Sequence, residues 1–291
     1  MNFAIIPNLT RANAAQVTRL ICTRLDELKT EYVLPQETAA SFSDTKAVFE
    51  SEEDMLRECT AVITVGGDGT IIHSAKKAAV YSKPVLGINA GRLAFMAGLE
   101  IHELGLLEKL ITGDYSMDKR MMLKTVAVDG DITQCGYSIN DSTVMRTSRL
   151  NKISEIDVDL NERYFNRYLG DGLILSTPTG STAYSLSAGG PVVDPKLGCI
   201  VMTPICSHSV FTRSLVLAED SVLRVYPADG GTLSVSCDGD EPFTVSPQGS
   251  IRVEKADICA NFIRLKNDSF VDILNKKMMQ WNSGSQTTQE V

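Results

Sequence analysis

The sequence predicts a Rossmann-like α/β domain built on a parallel sheet, then an all-β, sandwich-like domain, and a C-terminal helix that packs back on the first domain. Three observations carry this reading. From residue 2 to about 115, short apolar runs alternate with stretches of helical period, as in a parallel α/β sheet. After Met121 the texture changes to short strand-like runs separated by turn dipeptides, as in antiparallel β structure. Near the end, FVDILNKKMMQ (270–280) places Phe270, Ile273, Leu274 and Met278 at helical spacing. The expected domains are 1–118, 119–264 and 265–291, the last being the helix and a polar tail; at 291 residues the chain is long enough for two cores.

Along the first domain the expected order is strand NFAII, a helix over 10–29, strand YVLP, a helix over 52–58, strand AVITV (61–65), a helix over 70–80, and strand PVLGIN. AVITV and PVLGI are nearly all apolar, the mark of strands covered on both faces. In the second domain KTVAV precedes Asp129-Gly130, SEIDVDL precedes Asn161-Glu162, SVLRVY precedes Asp229-Gly230-Gly231, and TLSVSC precedes Asp238-Gly239. The exception is TGSTAYSLSA (179–188), where small and hydroxyl residues lead into a short helix. The last ten residues, NSGSQTTQEV, are polar and aperiodic and are expected to fray.

Charge and cysteine content exclude several classes of function. Twenty-eight basic against 36 acidic residues leave a net charge of −8 without a long basic run, which argues against nucleic acid as a partner. Seven scattered cysteines with no C-x-x-C pair read as buried thiols in a reducing compartment. MNFAIIPN lacks a basic flank and a long apolar core, and no run of eighteen apolar residues occurs, so neither secretion nor a membrane partner is expected. The expected location is the cytoplasm.

Two segments carry chemistry. GGDGT (66–70) follows the apolar run AVITV and opens a helix, so free backbone N–H groups gather where Gly66, Gly67 and Gly69 let a bulky anion approach. Within that loop Asp68 would repel phosphate unless a divalent cation lies between them or the acid takes a proton from a reacting hydroxyl. The bland alternative is that Asp68 caps the helix while the glycines turn the chain. The second segment, GDGLILSTPTGSTAYSLSAGG (170–190), holds seven hydroxyls at Thr177, Thr179, Ser181, Thr182, Tyr184, Ser185 and Ser187, enough to face a sugar and a base. An N-capping cluster would explain one or two of them. Asp238-Gly239 is read as a hairpin turn, and His73 and His102 as ordinary helix positions.

Together with NAGRLAF (89–95), SINDSTV (138–144) and PICSHS (204–209), these segments resemble the NAD kinase family in content, order and spacing over nearly the whole chain. GGDGT is shared with diacylglycerol and sphingosine kinases; TPTGSTAYS with the Asn-acid pair is specific to NAD kinases. The resemblance implies transfer of the γ-phosphate of ATP, or of another phosphate donor, to the 2′-hydroxyl of the adenosine ribose of NAD, giving NADP. It implies a divalent metal, Mg or Mn, and a homodimer or homotetramer. Asp68 then matches the catalytic aspartate, and Gly66, Gly67, Gly69 and Thr70 the phosphate cradle. Asn140 and Asp141 match the family's Asn-Glu pair, and Thr179, Ser181, Thr182, Ala183 and Tyr184 the loop around adenosine. Asp171 matches an acid that reaches a nucleotide across a subunit contact, and His208, Asn89 and Arg92 stand at further site positions. The sequence departs from the pattern at Asp141, where Glu is usual, at Arg92 and Ala94, where His and Gly are frequent, and at Ser207, where Pro is common. A lipid kinase sharing GGDGT would need an acyl pocket and a membrane-binding face; a non-catalytic dinucleotide sensor would lack Asp68.

Overall fold

The computed structural model describes residues 2–91, 94–147, 154–208 and 212–284. The chain divides into two compact units, Met1–Lys119 with Ala260–Val291, and Arg120–Cys259.

In the first unit the strands β1 (Asn2–Pro7), β2 (Glu31–Pro35), β3 (Val48–Glu50), β4 (Ala61–Gly66) and β5 (Val85–Asn89) are all parallel and lie in the order β3-β2-β1-β4-β5. Between them run α1 (Ala14–Glu27), α2 (Ala39–Phe42), α3 (Glu52–Glu58) and α4 (Asp68–Val80), followed by α5 (Leu107–Thr112). Every residue of β4 and β5 is buried, as their apolar runs predict. Phe3, Ile5, Ile63, Val65, Leu86 and Ile88 from the strands meet Val17, Ile21 and Leu25 from α1 in one core. The helix expected over 10–29 starts later, at Ala14, because residues 8–13 form a loop: Asn8 Oδ1 accepts the Thr10 N–H at 3.1 Å and the Thr10 hydroxyl at 2.6 Å. Strand β3 is an addition; at three residues it is too short to show a period.

The second unit is built on antiparallel pairings. Its strands are β6 (Ser116–Asp129), β7 (Ile132–Ser138), β8 (Asp141–Arg146), β9 (Ser154–Leu160), β10 (Arg163–Gly170), β11 (Gly172–Ser176), β12 (Cys199–Ile205), β13 (Leu215–Ala218), β14 (Leu223–Pro227), β15 (Leu233–Cys237), β16 (Phe243–Val245) and β17 (Ser250–Arg264). One sheet runs β13-β12-β11-β8-β15-β16; in the other, β9 joins β10 to β14, and β14 pairs with β17. Val144, Leu173 and Val235 from the first sheet share a core with Ile156, Val158, Val225 and Val253 from the second, which makes the unit a sandwich. The unit boundaries fall within the long strands β6 and β17, and Phe262 of β17 pairs with Val85 in the first unit.

The segment 179–188 is a 3₁₀ turn, Thr179–Thr182, and a one-turn helix α6 (Tyr184–Ser187). The helix α7 (Phe270–Gly284) belongs to the first unit and extends into the polar tail; the tail beyond it lies outside the described residues. No described helix is long and apolar enough to cross a membrane.

Candidate active site

In the first unit α4 begins at Asp68, and its N-cap is Gly67, which has no side chain to offer the first turn. The bland reading of the loop fails on both counts. Asp68 does not cap its helix: Oδ2 accepts the N–H of Phe95 at 3.0 Å and Oδ1 that of Met96 at 2.8 Å. Nor is a left-handed turn required, since Gly67 has φ −97 and none of the three glycines has a positive φ. Only Gly66 is demanded by packing, because a Cβ there would lie 2.6 Å from Thr70 Cβ; at Gly67 and Gly69 a Cβ would meet nothing within 4 Å. These two positions leave room beside the first-turn amides of α4, where an anion is favoured by the helix dipole.

Thr70 Oγ1 accepts a hydrogen bond from Asn8 Nδ2 at 2.8 Å, which ties the loop after β1 to the first turn of α4. The predicted site residue Asn89 is buried at 1 % exposure and shapes the next loop. Its Nδ2 donates to Glu100 at 3.2 and 2.9 Å, and its Oδ1 accepts the Gly91 N–H at 3.0 Å. Burial pushes the Glu100 carboxyl above its ordinary pKa. Asn89 and Glu100 thus pin the ends of the loop that brings Phe95 and Met96 to Asp68. Arg92 lies outside the described residues.

In the second unit the Asn140-Asp141 pair is held by a residue that the sequence reading treats only as a turn. Asp238 does sit in a turn, with φ 54 followed by Gly239 at φ 79. Its carboxylate also accepts three successive N–H groups, from Ile139 at 2.7 Å, Asn140 at 2.8 Å and Asp141 at 3.0 Å. From the other side the Asn140 carbonyl accepts the Thr177 N–H at 2.8 Å. Gly180 packs so closely on this backbone that a Cβ would lie 2.1 Å from the Asn140 oxygen. The Asn140 main chain is therefore fixed on both sides, while its side-chain amide makes no hydrogen bond among the described residues.

Asp141 is 7 % exposed and accepts the Thr143 hydroxyl at 2.9 Å. Burial, with the Asp238 charge adding to it, pushes its carboxyl up to about 6. Asp171 forms an ion pair with Arg146 at 2.8 Å.

The hydroxyl-rich loop divides into two sets. Thr177 donates to the Ile139 carbonyl; Ser181 donates to Pro178 O at 2.7 Å and accepts the Val193 N–H at 3.0 Å; Ser185 bonds Thr203 at 3.1 Å. All three are fully buried, so their hydroxyls serve the fold. Thr182 is half-buried and donates to the Thr179 carbonyl at 3.3 Å, and Tyr184 is 43 % exposed. Thr179 is buried and accepts from Arg120 Nη1 at 3.2 Å. Arg120 escaped the sequence reading because nothing near it in the chain marks a site. Ala183 links the 3₁₀ turn to α6, and His208 is exposed, its N–H donating to the Leu169 carbonyl at 2.7 Å. Among the described residues no group of three or more His, Cys, Asp or Glu is placed to hold a metal ion.

Residues 4–115 match the model of the ATP-NAD kinase N-terminal domain, and residues 139–265 that of the ATP-NAD kinase C-terminal domain. The chain is 34% identical over 278 residues to the NAD kinase of Caldanaerobacter subterraneus subsp. tengcongensis, covering 95% of this chain and 98% of that one. It is 40% identical over 224 residues to the NAD kinase of Symbiobacterium thermophilum, covering 76% and 79%. Among solved structures, yeast NADH kinase complexed with NADH superposes with a TM-score of 0.85 at 24% identity, covering 94% of this chain and 86% of that one. An NAD kinase from Archaeoglobus fulgidus in complex with ATP gives a TM-score of 0.70 at 23% identity, covering 92% and 94%. Both likenesses establish the fold.

Proposed function

Because the chain belongs to the NAD kinase family and phosphorylates NAD to NADP, we propose that ATP is the donor and Asp68 the catalytic acid-base group. The 2′-oxygen of the adenosine ribose of NAD attacks the γ-phosphorus of ATP. The bond from that phosphorus to the β–γ bridging oxygen breaks, ADP leaves, and the hydroxyl proton passes to the Asp68 carboxylate.

The observation that carries this reading is the placement of Asp68. It heads α4 without capping it, and two backbone amides orient its carboxylate beside glycines whose open space no packing requires. A carboxylate so fixed enters the reaction with little reorganisation.

A Mg or Mn ion fits as part of the substrate, since such ions are commonly held by one or two carboxylates plus substrate phosphates rather than by an all-protein cage. Asp68 is the residue that would reach it, and the ion would neutralise charge on the triphosphate. On the acceptor side the free Asn140 amide, Asp141, Thr182 and Tyr184 bind the nucleoside, while Ser181 and Asp238 act from behind by holding the backbone that presents them. Asp171 reaches a nucleotide across the subunit contact of a homo-oligomer. The seven cysteines are free thiols, but only Cys22, Cys59, Cys199 and Cys237 are buried; Cys135 and Cys206 are exposed and Cys259 is half-buried, against the expectation of buried thiols, and such accessible thiols suit a reducing, cytoplasmic setting.

The test is incubation of the purified chain with Mg-ATP and NAD, read by an NADP-specific dehydrogenase. Metal-dependent NADP formation is expected; phosphorylation of a lipid with no NADP from any donor would overturn the reading.

A further inference from the structure

In the first unit the chain leaves β1 through α1 toward β2, but leaves β4 through α4 toward β5, on the opposite side. β1 and β4 are neighbours, so their following loops diverge and leave a crevice at the carboxyl edge of the sheet, the place where open α/β sheets bind ligands. A cleft of about 750 Å³ lies there, lined by the ends of β1 and β2, the loop 8–11, and the first turns of α4. That volume suits a nucleoside.

Its lining divides by chemistry. Leu9, 40 % exposed, gives apolar surface for a flat base, and Pro35, itself buried, lies in the floor of the cleft. Glu37 and Thr10, whose hydroxyl donates to Asn8 Oδ1, are the polar groups on the opposite wall, and Lys77, bonded to Glu52 at 2.7 Å, closes the α4 side. Gly69, at the α4 edge of the cleft, leaves its Cβ direction empty, so a polyphosphate lying on the first-turn amides of α4 would continue into the cleft.

We propose that this cleft seats the nucleoside of the triphosphate donor, with the base against Leu9 and the cleft floor at Pro35 beneath it. The proposal rests on the kinase reading and adds to it a donor site separate from the hydroxyl-rich loop. It makes the loop 8–11 a determinant of donor choice: a donor without a nucleoside, such as inorganic polyphosphate, would forgo these contacts.

The test is photolabelling of the full chain with 8-azido-ATP, with and without excess ATP, followed by peptide mapping. Adducts that ATP suppresses are expected within 6–11, 35–38 or 69–77; ATP-suppressed adducts confined elsewhere would overturn the assignment. In parallel, Leu9→Trp fills the cleft and should raise KM for ATP roughly tenfold while KM for NAD stays within about twofold. An unchanged KM for ATP would count against the cleft. Absence of NADP formation by the parent would instead sink the kinase reading, so the two failures are distinguishable, and the labelling needs no variant to fold.

Discussion

Asp68 Oδ1 accepts the backbone N–H of Met96 at 2.8 Å, joining the start of α4 to a loop 28 residues further along the chain. The carboxylate proposed to take the 2′-proton is therefore also a structural anchor, and substitutions here and in the second unit must be judged on stability and turnover together.

Asp238 should behave as a positioning residue. Asp238→Asn keeps a short polar side chain at a left-handed φ but gives up one of two acceptor oxygens. A buried N–H left without a partner costs about 1–3 kcal/mol. The variant is expected to lower the thermal midpoint and raise KM for NAD. Asn140→Ala, which deletes only the unpaired amide, should raise KM for NAD with the midpoint unmoved. Calorimetric unfolding beside steady-state kinetics checks both, and an Asp238→Asn protein indistinguishable from the parent would refute the clamp.

Asp141 predicts a pH signature. Its folded pKa, about 6, lies above its ordinary value of 3.8, so folding favours the neutral acid. That stabilisation is fully present below about pH 3.8 and is lost as pH rises through about 6. The shift corresponds to at most about 3 kcal/mol. Asp141→Asn, neutral at every pH, should gain stability relative to the parent between pH 4 and 7. Urea midpoints across that range decide it; a constant difference would mean Asp141 titrates normally.

The glycines of GGDGT separate into two roles that substitution can distinguish. Gly66→Ala places a Cβ 2.6 Å from Thr70 Cβ and should lower the thermal midpoint. Gly67→Ala meets no protein atom within 4 Å, so the midpoint should hold while KM for ATP rises. An unchanged KM for ATP in the Gly67 variant would remove the triphosphate from this loop.

Much of the fold is legible in the chain because its signals are local. AVITV and PVLGI read as doubly covered strands, and both are buried along their whole length. GGDGT reads as a strand-to-helix junction and is one. What escapes the sequence is long-range. Asp238 and Gly239 account for a hairpin by themselves, so nothing local points to the amides 97 to 99 residues away that the carboxylate accepts. Asn89 and Glu100, 11 residues apart, pair across a loop that no local pattern marks. Seven hydroxyls between 177 and 187 suggest a binding surface, but sequence cannot separate Thr177, Ser181 and Ser185, whose hydroxyls serve the backbone or one another's neighbours, from Thr182 and Tyr184, which remain nearer to solvent. Burial makes that distinction.

The most direct test is the kcat of Asp68→Asn at saturating NAD and Mg-ATP. Asparagine keeps the size of the side chain and one acceptor for the loop amides, so the protein should fold with a modestly lower thermal midpoint and still bind NAD. It cannot take the 2′-proton, and kcat is expected to fall roughly 10²–10⁴-fold. A folded Asp68→Asn protein that turns over within about threefold of the parent would contradict the account.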